Sequence, residues 1–172
     1  MGAKVLAIAN QKGGVGKTTT SITLSSALAR MGKRILVLDL DPHACATLHA
    51  RIYPEGITCS LHDLFLAQEE AWPAIWPELI HKGALPGVDV APGSIRLSEL
   101  EVDFRERQAK GSVLLRSIAH VRDSYDYIIL DCPPHVGILL VNALVASDLL
   151  IIPIQTDFLA LHGLKLLFDT LH

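Results

Sequence analysis

The run Lys12-Gly13-Gly14-Val15-Gly16-Lys17-Thr18-Thr19 constrains this chain more than any other stretch. It follows a short apolar segment, residues 5–9, that reads as a buried strand. It precedes residues 17–31, where Ile22, Leu24, Leu28 and Met31 form the apolar stripe of a helix that Gly32 stops. Between a strand and a helix, a glycine-rich turn can point successive backbone N–H groups into one concavity. The helix dipole lies behind them, so the concavity suits phosphate oxygens. Gly13, Gly14 and Gly16 allow positive φ and close backbone approach. Lys17 is placed to reach β- and γ-phosphates, Thr18 to ligate Mg²⁺ through its hydroxyl, and Thr19 to bond the α-phosphate. The expected ligands are ATP and Mg²⁺, and Val15 completes the backbone of the expected phosphate cradle. The plain alternative is a glycine-rich turn with no ligand.

Strand and helix patterns then alternate. A second strand over residues 35–40 ends in Asp39 and Asp41, which closes a βαβ unit of ordinary length. Residues 61–67, 72–81, 98–104, 111–121, 136–146 and 159–171 read as helices, and residues 88–91, 127–130 and 149–152 as strands. The third strong strand delivers Asp131 at its C-terminal end. The densely charged residues 101–110 read as a solvated helical face. This order predicts an α/β, doubly wound fold with a mainly parallel sheet and one domain over residues 1–172. Half of the residues are hydrophobic but only 5% are aromatic, so Leu, Ile, Val and Ala must build the core, as in buried parallel sheets. There are no internal repeats.

Composition excludes several function classes. A net charge of −3 gives no bulk attraction to nucleic acid or to anionic lipid. The three cysteines, Cys45, Cys59 and Cys132, are widely spaced with no CxxC pair, which argues against a disulfide scaffold or zinc ribbon and fits the cytoplasm. Residues 5–9 are too few for a signal-peptide core, and polar residues and Pro153 interrupt the apolar run 139–154. His43, Cys45 and His49 lie close enough to raise a metal site, although no fourth ligand is evident.

The common phosphate-loop pattern G-x-x-x-x-G-K-[ST] fails here, because Gln11 stands at its first glycine and a second lysine, Lys12, follows. With that lysine the chain resembles the deviant Walker A P-loop ATPases of the ParA/Soj/MinD family, ParA/Soj more than MinD. Asp39-Leu40-Asp41-Pro42 is similar to the family's D-x-D-P-Q switch. Ile128 through Asp131-Cys132-Pro133-Pro134 resembles its Walker B and second switch, and Pro153-Ile154-Gln155, continuing to Ala160-Leu161-His162-Gly163, resembles a later segment.

The resemblance implies residue roles and partners. Lys12 would cross a dimer interface to the partner's nucleotide, and Lys17 would serve the phosphates in its own subunit. Asp41 would orient or activate the attacking water, and Asp131 would support Mg²⁺ directly or through water. For these carboxylates the plain alternative is an acidic strand end in solvent. The implied activity is slow hydrolysis of ATP to ADP and phosphate, coupled to an ATP-bound homodimer, in partitioning of plasmid or chromosome DNA or positioning of cargo. The alternative is a nucleotide-dependent interaction or regulatory module with little turnover. A ParB-like activator and non-specific DNA are the implied partners, and no membrane. Two departures flank the switches: His43 stands where Gln is usual, and His135 where a small polar residue is common. Cys132 lacks the Cys-Gly-Gly context of the iron–sulfur relatives. Family members continue for several more strands and helices, so the C-terminal part of the family fold is expected to be missing beyond His172. That part carries adenine contacts and basic DNA-binding residues; Arg105, Arg107, Lys110, Arg116 and Arg122, mixed with acids, form only a weak patch.

Overall fold

A computed structural model of the chain describes residues 2–102 and 111–156. The opening unit is β1 (Lys4–Ile8), α1 (Lys17–Arg30) and β2 (Ile35–Asp39). After it come α2 (Cys45–His49), α3 (Leu61–Leu66), α4 (Trp72–Leu79), β3 (His81–Leu85), β4 (Val88–Ala91) and α5 (Leu97–Val102). The described part closes with α6 (Val113–Ile118), β5 (Tyr127–Asp131), α7 (Ile138–Ala146) and β6 (Leu149–Ile151).

Alternate residues of each central strand serve opposite faces of the sheet. Val5, Ala7, Leu36, Leu38, Ile128 and Leu130 join one core layer, with residues of α3 to α7. Ile8, Ile35, Val37, Val90 and Ile129 join the other, against Ile22, Leu24 and Leu28 of α1 and Ala46 of α2. Both faces are therefore covered, as the near-continuous apolar strands require. The sheet has six strands in the order β3-β4-β2-β5-β1-β6. All neighbours are parallel except β3, which runs antiparallel to β4. This is the expected doubly wound, mainly parallel sheet.

Register brings the chemistry together. Ile8 and Asp39 both pair with Asp131, so β1, β2 and β5 end at one level. The helix after β1 packs on one face, and the helix after β5 on the other. The crevice where such connections diverge is the usual ligand position in open α/β sheets.

Two elements were not expected from the sequence. His81-Lys-Gly-Ala-Leu85 has no strand pattern, and the helix reading of residues 72–81 runs into it. It becomes an edge strand because Gly87, at φ 75°, turns the chain back onto β4 and because Asp89 accepts bonds from Lys82 Nζ and Gly83 N, both at 2.8 Å. The short helix α2 follows Ala44, whose φ is 51°, a left-handed turn that an apolar pattern does not announce. The solvated-face reading fails at Glu101, whose side chain is 13% exposed. It reaches across to α7, where Oε2 accepts from Ile138 N at 2.9 Å and Oε1 from Leu139 N at 3.3 Å. The rest of that charged run, the helix expected over residues 159–171, the segment 160–163 and the patch residues Arg105, Arg107 and Lys110 lie outside the described residues. Among the described residues, no helix is long and apolar enough to cross a membrane.

Candidate phosphate-binding site

The loop after β1 is shaped by two left-handed glycines, Gly14 at φ 75° and Gly16 at φ 90°, the latter capping α1. Gly13 does not take a positive φ, so its expected freedom is not used in that way. A Cβ on Gly13, Gly14 or Gly16 would meet no protein atom within 4 Å, so the space over the loop is open. The loop is pinned from below and from the side. Asn10 Nδ2 donates to Pro153 O at 2.8 Å, Lys12 N to Asn10 Oδ1 at 3.0 Å, and Gln155 Nε2 to Gly14 O at 3.0 Å. Asn10 and Gln155 thus hold the loop to the segment after β6, a role their sequence context did not assign.

Lys17 is buried at the head of α1, and its Nζ donates to Lys12 O at 3.1 Å. Burial lowers its affinity for a proton, while the negative charges of Asp41 and Asp131 work the other way. Beneath it the Thr18 hydroxyl donates to Asp131 Oδ2 and the Ser21 hydroxyl to Asp131 Oδ1, both at 2.8 Å. Asp131 is fully buried, and burial raises its carboxyl above the ordinary range. The bonds from Ser21 and Thr18 oppose that rise, Asp41 adds to it, and Lys17 opposes it. Ser21 was missed from the sequence. Its signal was a serine one turn beyond Thr18 on the buried side of a helix that the apolar stripe alone was used to define.

Asp39 is not a solvated strand end either. It is fully buried, and its Oδ2 accepts from both the backbone N and the hydroxyl of Thr47 at 2.7 Å. Burial pushes its carboxyl up to about 7, with Asp131 adding to the rise. Thr47 is in turn fixed by Gly93, whose N–H donates to its hydroxyl at 3.0 Å. A side chain on Gly93 would overlap the Asp39 carbonyl oxygen, so the close approach needs glycine. Asp41 sits two residues beyond the strand, 9% exposed, and its Oδ1 accepts from His43 N and pairs with His43 Nδ1, both at 2.9 Å. His135 Nε2 lies 3.7 Å from Glu101 Oε1, next to the start of α7.

Lys17, Thr18, Asp39, Asp41 and Asp131 thus share one crevice at the C-terminal ends of β1, β2 and β5. Thr19 is exposed at the head of α1, and Lys12 is half-buried at the loop's entrance. A hydroxyl and a carboxylate within hydrogen-bond distance, beside an open glycine loop, are hard oxygen donors of the kind that Mg²⁺ takes together with phosphate and water. Among the described residues no group of three His, Cys, Asp or Glu side chains is arranged for a metal ion, so the His43, Cys45 and His49 site does not form. His49 Nδ1 is bonded to the Cys45 carbonyl instead. Cys132 is buried and its thiol is pushed up strongly by burial and by Asp131, the opposite of a reactive thiolate. A separate cavity of about 490 Å³, lined by Pro42, His43, Leu48, Ile57, Ile95 and Arg96 among others, opens on the outer side of the segment that carries Asp41.

Comparison with known proteins gives a consistent picture. The model of a family described as an AAA domain, AAA_31, matches residues 3–172. The sporulation initiation inhibitor protein Soj of Bacillus subtilis is 39% identical over 167 residues, covering 97% of this chain and 64% of Soj. The chromosome partitioning protein ParA of Caulobacter vibrioides is 38% identical over 170 residues, covering 98% of this chain and 62% of ParA. The chain therefore spans 62–64% of the length of these curated relatives. The crystal structure of cobyrinic acid a,c-diamide synthase from Mycobacterium smegmatis with bound ADP and magnesium superposes with a TM-score of 0.86 at 34% identity. That match covers 98% of this chain and 66% of the other.

Proposed function

Because the chain belongs to the AAA_31 family of AAA domains and has ParA and Soj proteins among its relatives, we propose that it is the nucleotide-binding part of a ParA-like ATPase. In this reading it binds ATP with Mg²⁺, dimerises in the ATP state and resets by slow hydrolysis to ADP and phosphate. The observation that carries the reading is the convergence of the Thr18 and Ser21 hydroxyls on Asp131, under an open glycine cradle headed by buried Lys17.

The backbone of Gly13, Gly14, Val15 and Gly16 holds the phosphates, with Lys17 on the β- and γ-phosphates and Thr19 on the α-phosphate. Thr18 and Asp131 are the residues that would hold Mg²⁺, which when bound neutralises charge on the transferred phosphoryl group. Asp41 orients the attacking water. Lys12 reaches the nucleotide of a second subunit, so its cation neutralises γ-phosphate charge only in the dimer, and nucleotide state and assembly become one equilibrium. The wider role is partitioning of plasmid or chromosome DNA, with a ParB-like activator and non-specific DNA as partners of the whole protein.

Two measurements test this. Steady-state ATP hydrolysis is expected to drop at least tenfold in Asp41→Ala with ATP still bound. Equal background rates in both proteins would instead favour an interaction module with little turnover. Light scattering with a non-hydrolysable ATP analogue and Mg²⁺ is expected to show a dimer for the wild type and a monomer for Lys12→Gln. A nucleotide-bound wild-type monomer would refute the dimer mechanism.

A further inference from the structure

His43 holds a position the motif does not require. Asp41 Oδ1 takes two bonds from it, one from the backbone N–H and one involving ring Nδ1, each at 2.9 Å. Asp41 itself is 9% exposed, and its charge acts on both Lys17 and Asp131. The His43 side chain, by contrast, is 74% exposed. One carboxylate oxygen is thereby committed to His43, which fixes the plane in which the other is presented.

We propose that His43 is a positioning residue that sets the aim of Asp41. With a proton on Nδ1, the ring donates to Oδ1 and leaves the other carboxylate oxygen oriented for water. Glutamine in this place can donate a bond to the same oxygen, so the two side chains share the positioning.

The proposal rests on Asp41 acting on water, as in the proposed function, and two readouts keep the ideas apart. The first needs no turnover. Nitrogen-15 NMR of the histidine rings at pH 8.5 is expected to show His43 in the Nδ1–H tautomer, and in Asp41→Ala to show it shifted to the Nε2–H tautomer. An Nε2–H ring in the wild type, or one unmoved by Asp41→Ala, overturns the proposal whatever the ATPase result. The second is the rate of ATP hydrolysis. His43→Ala is expected to lower kcat about tenfold with KM little changed, and His43→Gln to restore it. Equal rates in all three proteins overturn the positioning role. If none of the three hydrolyses ATP, the ATPase reading fails while the tautomer still decides the contact.

Discussion

Gly137→Ala should damage this protein through a residue far away in sequence. Gly137 lies at φ −160°, extended backbone that alanine adopts without strain. The damage is steric: an added Cβ would overlap the carboxylate of Glu101. That carboxylate caps α7 through Ile138 N at 2.9 Å and Leu139 N at 3.3 Å, just after the segment that carries Asp131. Losing a side-chain cap costs about 1–2 kcal/mol, and losing a negative charge at a helix N-terminus adds about 0.3–1 kcal/mol. A total of about 2 kcal/mol corresponds to a Tm lower by about 4–8 °C for a domain of this size. The decisive assay is a double-mutant cycle by urea denaturation with Glu101→Ala. Once the carboxylate is gone, Gly137→Ala should cost nothing and even gain about 0.5 kcal/mol from the stiffer unfolded chain. The coupling between the two sites is then about 2–2.5 kcal/mol. If Gly137→Ala costs the same in both backgrounds, within about 0.5 kcal/mol, the cap is not what glycine protects.

Three further outcomes follow from the buried polar groups. Asp39→Asn should change how stability depends on pH: with the folded carboxyl pushed up to about 7, the folded state keeps a proton that the unfolded chain has lost. Wild-type stability therefore declines as pH rises from the ordinary carboxylate range to about 7, by roughly 4 kcal/mol at most. Asparagine lacks that ionisation, so thermal melts from pH 5 to pH 8 should move in its favour, and parallel curves would contradict the assignment. Ser21→Ala removes one of the two hydroxyl bonds to Asp131, and should weaken binding of a fluorescent ATP analogue about tenfold with Mg²⁺ but little without it. An equal loss in both conditions would place the serine outside the metal's support. His62 is 1% exposed, with both ring nitrogens lacking a hydrogen bond, and Glu99 Oε2 lies 3.2 Å from Nε2 in poor alignment. His62→Leu should raise stability by about 1 kcal/mol in urea denaturation, whereas a loss of that size would show that the ring nitrogens are paired.

How much was legible depended on how local each feature is. The strand, glycine loop and helix from Lys4 to Arg30 are contiguous, and their periodicity and turn chemistry are written in neighbouring residues. The same holds for β4, read at its observed bounds, and for β5. The edge strand β3 was not legible, because a Lys-Gly-Ala run becomes a strand only where β4 offers a partner and Asp89 offers bonds. Among the charged residues the sequence could not say which are buried. Glu101 stands at the head of a run of charges that reads as solvated, yet it is nearly enclosed against α7.

By itself, then, the sequence determined the glycine-rich loop between strand and helix, the alternation that demands a covered parallel sheet, and the acidic residues at its strand ends. These follow from backbone freedom at glycine and from the period of apolar residues, which are short-range properties. Only the tertiary structure decided what those acids do to one another. The register that sets Ile8 and Asp39 beside Asp131 turns separate motifs into one crevice. Burial then fixes the state of each: Asp39 is pushed up to about 7, Asp131 is held by Thr18 and Ser21, and Asp41 is left at the rim with His43. The physical reason is that desolvation and charge–charge coupling depend on three-dimensional distance, and the partners here come from strands whose paired residues, such as Ile8 and Asp131, are more than a hundred positions apart in the chain.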